Sequence, residues 1–201
     1  HAEVNLLNRA MKSLKNTLSV IWEKTRQGGT IESDYVDQIR DRVEMVCSVH
    51  PEFCRYDKSI GDARIRSSYE LFDICSQVEK EIKAGSSVRV HGDFNINNII
   101  YNLDRNTVHF LDVYRSGQAD YVQDGSVFII SNFRTPIFDR KLRNRLNWTI
   151  ETFFSFLTET ARQWADRAFD VRMPLALARP FYPSPRFELH YQCAKEMSMR
   201  A

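Results

Sequence analysis

Oxygen-bearing side chains in the segment 91–124 have the types and the spacing needed to bind a hard cation and to orient a hydroxyl group. Asp93 and Asn98 stand five residues apart on a predicted loop, and Asp112 follows the next predicted hairpin. Mg²⁺ in proteins takes one or two such oxygens together with phosphates and water. Phosphoryl transfer requires little more than these ligands and a carboxylate that orients the attacking hydroxyl. The three residues together supply that set.

The residues around this set predict a short β-rich segment. Residues 88–90 alternate between apolar and polar side chains, and residues 99–101 and 108–111 are two further β-type runs. The Leu-Asp-Arg-Asn sequence at 103–106 predicts a turn that joins the last two runs as a hairpin. We therefore expect strands in this middle part of the chain alone.

Helical periodicity dominates the chain before this segment. Apolar residues recur at spacings of three and four over residues 4–21, which predicts a long helix that ends at Gly28-Gly29. Ser33 is predicted to cap a second helix. Ser67 and Glu70 have the spacing of a capping box, which predicts the start of a third helix.

The chain after the β-rich segment is also predicted to be helical. Residues 120–133 predict one helix, and Asp139 can begin a long one. A last helix is marked by Phe187, Tyr191, Ala194 and Met197. Four prolines between residues 174 and 185 predict an irregular segment before that last helix. The predicted fold is mainly α with a small central β-hairpin. The predicted single domain, 1–201, comprises a helical segment (1–87), the catalytic and metal-binding loops (88–124) and the C-terminal helices (125–201).

Composition indicates a globular protein without a nucleic-acid or membrane partner. The 201 residues are 43% hydrophobic and 27% charged, which suits one folded domain or one lobe of a larger protein. A formal net charge of +2 gives no electrostatic argument for nucleic acid, and no apolar run approaches the length of a membrane span. The four cysteines have neither zinc-site spacing nor the density of a disulfide framework, so we predict reduced thiols and a cytoplasmic location.

The order of the candidate residues resembles that of a known kinase superfamily. Residues 91–93 read His-Gly-Asp, and Asn98 follows at the His-x-Asp-x-x-x-x-Asn spacing of kinase catalytic loops. The glycine in this tripeptide resembles the aminoglycoside phosphotransferase and choline kinase-like superfamily, which has a protein-kinase-like fold. In that superfamily a Gly-Asp-Pro-x-x-Asp segment follows the metal-binding Asp, and Asp120 and Asp124 stand at the matching offsets. The resemblance implies a kinase-like C-terminal, helical lobe.

The resemblance also implies a role for each residue of the segment. Asp93 is implied to be the catalytic base or hydroxyl-orienting group, and Asn98 and Asp112 are implied to be Mg²⁺ ligands. ATP, or another nucleoside triphosphate, is implied as the phosphate donor, and a small-molecule hydroxyl is implied as the acceptor. The residues implied to support the loop are His91, Asp120 and Asp124.

Four positions depart from the superfamily pattern. Val113 and Tyr114 stand where a small-residue triplet normally continues after the metal-binding Asp, Arg115 replaces a frequent acid, and Asn97 replaces a frequent glycine. These changes keep the first metal ligand but weaken the expectation of a second metal and of full activity.

The sequence contains no match to the glycine-rich phosphate loop and the strand-borne lysine that such kinases need. We therefore expect an N-terminal β lobe upstream in the native chain, which would complete an ATP- and Mg²⁺-dependent small-molecule kinase. The alternative is a non-catalytic, pseudokinase-type module that binds a partner or a metabolite. A third hypothesis is a helical interaction domain whose acidic loop is coincidental.

Substrate-binding residues stay unknown from sequence. Aminoglycoside, choline-like amine, sugar and amino-alcohol acceptors all remain open. Aromatic and acidic residues of the later helices could form an acceptor pocket, although aromatic residues at helical spacing more often belong to a core. The candidates are Trp148, Trp164, Phe181, Tyr182, Glu159 and Asp166. A basic group, Arg134, Arg140, Lys141, Arg143 and Arg145, is interpreted as a solvated helix face.

Overall fold

A computed structural model describes residues 2–53, 58–188 and 191–200. The chain divides into two compact units. The first unit comprises residues 1–31 and 84–169, and the second comprises residues 32–83 and 170–201. The proposal of one kinase-like domain over the whole chain stays a prediction.

Helices form most of the described structure, and the strands are short, which confirms the predicted mainly α fold with a small β component. The helices are α1 (Ala2–Thr25), α2 (Tyr35–Val49), α3 (Ser68–Glu81), α4 (Tyr121–Arg134), α5 (Arg140–Gln163), α6 (Phe169–Phe181) and α7 (Tyr191–Arg200). The strands are β1 (Gln27–Ile31), β2 (Lys58–Ile60), β3 (Ala63–Ile65), β4 (Ala84–Val90), β5 (Ile99–Asn102), β6 (Thr107–Phe110) and β7 (Gly117–Ala119).

The first unit combines three long helices with two small antiparallel sheets. Helix α1 buries Met11, Leu14, Leu18 and Trp22, whose spacings of three and four place them on one helical face. Strands β1, β4 and β7 form a sheet in the order β1-β4-β7, with β4 in the centre. Strands β5 and β6 form a separate hairpin, which confirms the hairpin predicted from sequence.

The second unit has a helical core and a short hairpin. Val36, Ile39 and Val43 of α2 form a buried cluster with Phe72 of α3, and side chains of α6 pack against it. Strands β2 and β3, which lie between α2 and α3 in the sequence, pair as an antiparallel hairpin. The buried Glu79 carboxylate accepts hydrogen bonds from the first two peptide N–H groups of α2.

The prediction that strands occur only in the middle of the chain is wrong. Gly28 and Gly29 do not end α1, which already stops at Thr25; they belong to β1, where Gly28 pairs with Ser86 of β4. Strands β2 and β3 also lie outside the middle segment. Glycine has a low intrinsic preference for strands, so the pairing with β4, rather than local propensity, explains β1.

The proline-rich segment is largely helical, contrary to prediction. Helix α6 contains both Pro174 and Pro180, and its Met173 and Ala176 are buried. Burial of an apolar face can outweigh the hydrogen bond that a proline removes from a helix. The number of prolines therefore predicted a longer irregular segment than the structure contains.

The helix starts were predicted with mixed success. Ser67 caps α3, because its hydroxyl accepts a hydrogen bond from the Glu70 N–H at 3.1 Å. Asp139 caps α5 by accepting from the Leu142 N–H at 2.9 Å. Ser33 is not the cap of α2, since Asp34 occupies that position and makes no side-chain cap bond.

The cysteines also differ from the prediction. Cys75 and Cys193 are free thiols, but Cys47 is disulfide-bonded, so the prediction of reduced thiols is wrong for Cys47. Burial, and secondarily the Glu79 carboxylate, raise the pKa of the Cys75 thiol.

Candidate active site

The loop of residues 91–98 links β4 to β5 and carries the first half of the candidate site. Phe94 fixes this loop to the core: its side chain is fully buried, and its ring centroid lies 5.7 Å from that of Phe128 on α4. Two residues later, the Ile96 N–H donates to the Ser131 hydroxyl at 3.1 Å. Helix α4 therefore sets the position of the loop through one apolar and one polar contact.

A buried carboxylate holds the start of the loop. Asp124, in the first turn of α4, accepts the His91 N–H at 2.6 Å and the Gly92 N–H at 3.0 Å, one on each carboxylate oxygen. Its side chain is almost inaccessible to solvent. The two bonds fix the Val90–His91 and His91–Gly92 peptide groups, which lie just before Asp93 in the loop.

Gly92 meets a steric requirement at the same turn. Its φ of 84° lies in the left-handed region, which L side chains rarely adopt. A Cβ atom at this position would also stand 2.3 Å from the Arg115 carbonyl oxygen. The backbone of residue 115 therefore explains why the tripeptide reads His-Gly-Asp. This reason lies in a contact with residue 115 and is not visible in the local sequence around Gly92.

His91 connects the two halves of the site through its imidazole ring. Its Nε2 lies 2.7 Å from the Leu111 carbonyl oxygen, and its Nδ1 lies 3.3 Å from the Asp93 backbone N–H. A carbonyl can only accept, and a backbone N–H can only donate. The contacts therefore assign the proton to Nε2 and the lone pair to Nδ1, which is the pattern of a neutral imidazole.

Asp93 is held on one side and open on the other. Its carbonyl oxygen accepts the Asn95 N–H at 2.8 Å, and its Oδ1 accepts from the Asn95 side-chain amide. Within the described residues, Oδ2 of Asp93 has no hydrogen-bond partner. One carboxylate oxygen is thus oriented by the loop, while the second remains able to accept a hydrogen bond from a ligand hydroxyl.

Asn98 joins Asp93 to the segment that carries Asp112. The Asn98 side-chain nitrogen donates to the Asp93 carbonyl oxygen at 2.9 Å, and the Asn98 carbonyl oxygen accepts the Leu111 N–H at 2.9 Å. Asp112 follows directly, in the left-handed conformation with φ 53° and ψ 46°. These bonds join Asn98 directly to Asp93 and to Leu111, the residue that precedes Asp112.

The donor atoms of Asn98 and Asp112 fit Mg²⁺ in chemistry. Because the Asn98 nitrogen is bonded to the loop, the amide oxygen is the atom that a hard cation would contact, and Asp112 offers an exposed carboxylate. Among the described residues, no three His, Cys, Asp or Glu side chains group as a metal centre. Mg²⁺ does not require such a group, since phosphates and water commonly complete its coordination.

Asp120 acts one turn before Asp124, at the start of α4. It is buried, and its side chain accepts the Val122 N–H at 3.1 Å as the N-cap of the helix. The two carboxylates thus have different contacts: Asp120 bonds the helix itself, and Asp124 bonds the loop.

The family model for the ecdysteroid kinase-like family matches residues 5–163. This match covers more than half of the chain and includes every residue of the candidate site. The chain belongs to the ecdysteroid kinase-like family.

Membership places the chain in the protein-kinase-like, choline kinase-like superfamily, which confirms the superfamily predicted from the His-Gly-Asp segment. Members of the ecdysteroid kinase-like family are small-molecule kinases. A search of curated proteins finds no match to the chain. No helix in the described part of the chain is long and apolar enough to cross a membrane.

Two of the residues considered for an acceptor pocket, Trp164 and Asp166, make contacts within the first unit instead. Within the first unit, the Trp164 ring contacts the Tyr121 ring edge-on at 5.2 Å, and the Arg26 guanidinium lies over Trp164 at 4.5 Å. Asp166 accepts from the Tyr121 hydroxyl at 2.9 Å. These contacts explain the two candidates without a ligand.

One member of the basic group is also structural. Arg143 donates to the carbonyl oxygens of Phe133 at 3.2 Å and Ile137 at 3.0 Å, and so bonds the backbone at and just beyond the end of α4. The interpretation of this group as a solvated helix face is therefore wrong for Arg143.

Asn95 and Ser131 are the polar contributors that sequence analysis missed. Asn95 bonds the Asp93 carboxylate, and Ser131 accepts the Ile96 N–H. Asn95 lies two residues after Asp93 on the same loop, and an asparagine at that spacing can be predicted from sequence to bond the Asp93 carboxylate. Ser131 had no such signal, because its contact depends on how α4 packs against the loop.

Proposed function

We propose that this chain carries the catalytic and metal-binding loops of an ATP- and Mg²⁺-dependent kinase that phosphorylates a small-molecule hydroxyl. One observation carries the proposal: Asp93 has Oδ1 bonded to Asn95 and Oδ2 without a partner among the described residues, and Asn98 bonds the same loop. A carboxylate held in this way can orient a hydroxyl for in-line attack.

Each residue has a defined part in the proposed reaction. The acceptor oxygen attacks the γ-phosphorus of ATP, the bond from that phosphorus to the β,γ-bridging oxygen breaks, and ADP leaves. The hydroxyl proton passes to Oδ2 of Asp93. Mg²⁺, contacted by the Asn98 amide oxygen and the Asp112 carboxylate, would neutralise phosphate charge. His91 and Asp124 hold the loop and take no part in the proton transfer.

We also propose that the phosphate-binding glycine loop and lysine belong to an N-terminal lobe encoded before His1. Two features support this. Gly28 and Gly29 lie in strand β1, where Gly28 pairs with Ser86 of β4, and the residues around Asp112 are apolar and exposed. Leu111 is 43% exposed, Val113 54% and Tyr114 74%. A nucleotide lobe above the site would cover such side chains. A cytoplasmic location, and the lack of nucleic-acid and membrane partners, stay predictions.

The acceptor is the least determined part of the proposal. The departures at Val113, Tyr114 and Arg115 lie beside Asp112, so they favour one metal rather than two. The family name adds ecdysteroids to the acceptors that deserve testing, beside choline-like amines, amino alcohols, sugars and aminoglycosides.

The test uses the protein with any residues that naturally precede His1, and measures transfer of labelled γ-phosphate from ATP to that acceptor panel. Asp93→Asn is expected to lower kcat/KM by about 10²–10⁴-fold, because it removes the proton acceptor, with an unchanged melting temperature. Asp104→Asn is the matched control, since Asp104 is exposed in the turn between β5 and β6. Equal activity of Asp93→Asn and wild type would refute the assignment. Nucleotide binding without transfer to any acceptor would favour the non-catalytic alternative.

A further inference from the structure

A cavity of about 300 Å³ lies within the first unit, and Ile96 of the loop 91–98 is among the residues that line it. Helix α1 contributes Leu7 and Met11 to its walls, and the hairpin contributes Ile99. Helices α4 and α5 contribute Phe128 and Leu146. None of the six candidate site residues lines it. Its size is at the lower end of that of ligand-binding pockets.

One buried polar atom in the lining of this cavity has no hydrogen-bond partner among the described residues. Asn132 of α4 lines it and is completely buried, and its Oδ1 has no hydrogen-bond partner among the described residues. The other side-chain atom, Nδ2, donates to the Phe128 carbonyl oxygen at 2.9 Å. This bond determines which end of the amide is which, because a carbonyl can only accept. The side-chain atom without a partner, Oδ1, is therefore a hydrogen-bond acceptor.

The other polar lining residues do not repeat this feature. Thr149 is also buried, but its hydroxyl donates to the Arg145 carbonyl oxygen at 2.9 Å. Among the residues that the structure describes, Arg145 is the only charged side chain in the lining, and its positive charge disfavours a cationic ligand. A buried acceptor without a donor is unfavourable, and a ligand that donates to Asn132 would relieve this penalty.

We propose that the cavity binds a neutral, single-chain apolar molecule that carries one hydrogen-bond donor, with the donor on Asn132 Oδ1. The walls select an apolar body, Asn132 selects a hydroxyl or amide N–H, and Arg145 excludes an amine cation. The proposal does not rest on the proposed phosphotransferase activity, because none of the six candidate site residues lines the cavity.

Two probes with nearly the same apolar body separate the parts of the proposal. Decan-1-ol can donate a hydrogen bond to Asn132, whereas its methyl ether cannot. Calorimetry or ligand-observed NMR on the wild-type protein should show the alcohol binding about tenfold more tightly, the effect of one hydrogen bond. Equal dissociation constants for the two probes, or no binding of either, would overturn the proposal.

Variants then locate the binding. Asn132→Leu should reduce the ratio between the two probes to about one, since the acceptor is gone. Ala10→Phe fills the cavity from α1 and should abolish binding of both probes. Val20→Phe is its control, because Val20 lies on the same helix, is half-exposed and does not line the cavity. Should Asn132→Leu fail to fold, the wild-type ratio and Ala10→Phe still decide; binding that survives Ala10→Phe contradicts the assigned site.

Discussion

Two buried carboxylates, one in each unit, make almost the same contacts. In the first unit, Asp124 accepts the N–H groups of His91 and Gly92 at 2.6 and 3.0 Å. In the second, Glu79 accepts those of Tyr35 and Val36 at 2.7 and 3.1 Å. Each carboxylate thus holds two consecutive peptide groups, one with each oxygen.

The two differ in which peptides they hold. Tyr35 and Val36 are the first residues of α2, where helical N–H groups lack partners within the helix. Asp34, the local N-cap, makes no side-chain cap bond, so Glu79 of α3 caps α2 from another helix. Asp124 instead holds the peptides that precede Asp93. A buried carboxylate on two N–H groups is therefore a structural device, and the neighbouring residue decides whether it serves chemistry.

The largest effect is expected for a substitution of Gly92. Its N–H donates to Asp124, whereas the two residues that donate to Glu79, Tyr35 and Val36, are not glycines. Gly92→Ala places Cβ against the Arg115 carbonyl oxygen in a left-handed conformation. We expect the free energy of unfolding to fall by about 2–4 kcal/mol, and phosphate transfer to fall about 100-fold as the loop shifts. Denaturant unfolding and kcat/KM measure the two effects.

Gly117→Ala is the control for this substitution. Gly117 lies in β7 of the same unit, and a Cβ atom there would meet nothing within 4 Å. It should change stability by less than about 1 kcal/mol. Similar losses for Gly117→Ala and Gly92→Ala would show that the close approach to Arg115 is unimportant.

Asp124→Asn tests the loop side of the comparison. An amide oxygen can accept one of the two N–H groups, but the amide nitrogen then faces the other donor. We expect a loss of about 2–3 kcal/mol in stability and a decrease in kcat of about tenfold or more. Chemical denaturation and the phosphate-transfer assay measure these values. An unaltered kcat would separate Asp124 from the catalytic loop.

Much of this arrangement could be predicted from sequence, because it depends on local order along the chain. The spacing of Asp93, Asn98 and Asp112 and the β5–β6 hairpin are encoded within about twenty residues. The caps at Ser67 and Asp139 have local signals too. Superfamily membership followed from the same segment and is confirmed by the family match.

The remainder depended on contacts between distant parts of the chain. Strand β1 exists by pairing with β4, more than fifty residues later. Glu79 carries no sequence signal that it caps α2, since the relation spans 44 residues. The Ser131 contact to the loop likewise arises from the packing of α4. Periodicity and propensity contain no information about such long-range pairs.

Glu79→Gln tests the structural side of the comparison. The change again replaces one acceptor oxygen with a donor, so stability should fall by about 2–3 kcal/mol. The values of kcat and KM should change less than about twofold, because the weakened hydrogen bonds are those to the peptide N–H groups at the start of α2. Unfolding and phosphate-transfer assays on the same sample check both values. A kcat decrease equal to that of Asp124→Asn would remove the distinction between the two carboxylates.

The smallest effect is expected at Asp139, an exposed carboxylate that accepts a single N–H group, that of Leu142. Asp139→Ala should lower the free energy of unfolding by about 1 kcal/mol, the usual effect of losing an N-cap. Asp139→Asn should lower it by only a few tenths, since asparagine caps helices about as well as aspartate. The same Asp→Asn change at position 124 is expected to be several times more damaging, because two donors there need two acceptors. Thermal unfolding of the three variants measures this ratio. If Asp124→Asn were as mild as Asp139→Asn, the buried carboxylate would be acting as a single acceptor, and the two-peptide brace would not be what orders the loop before Asp93.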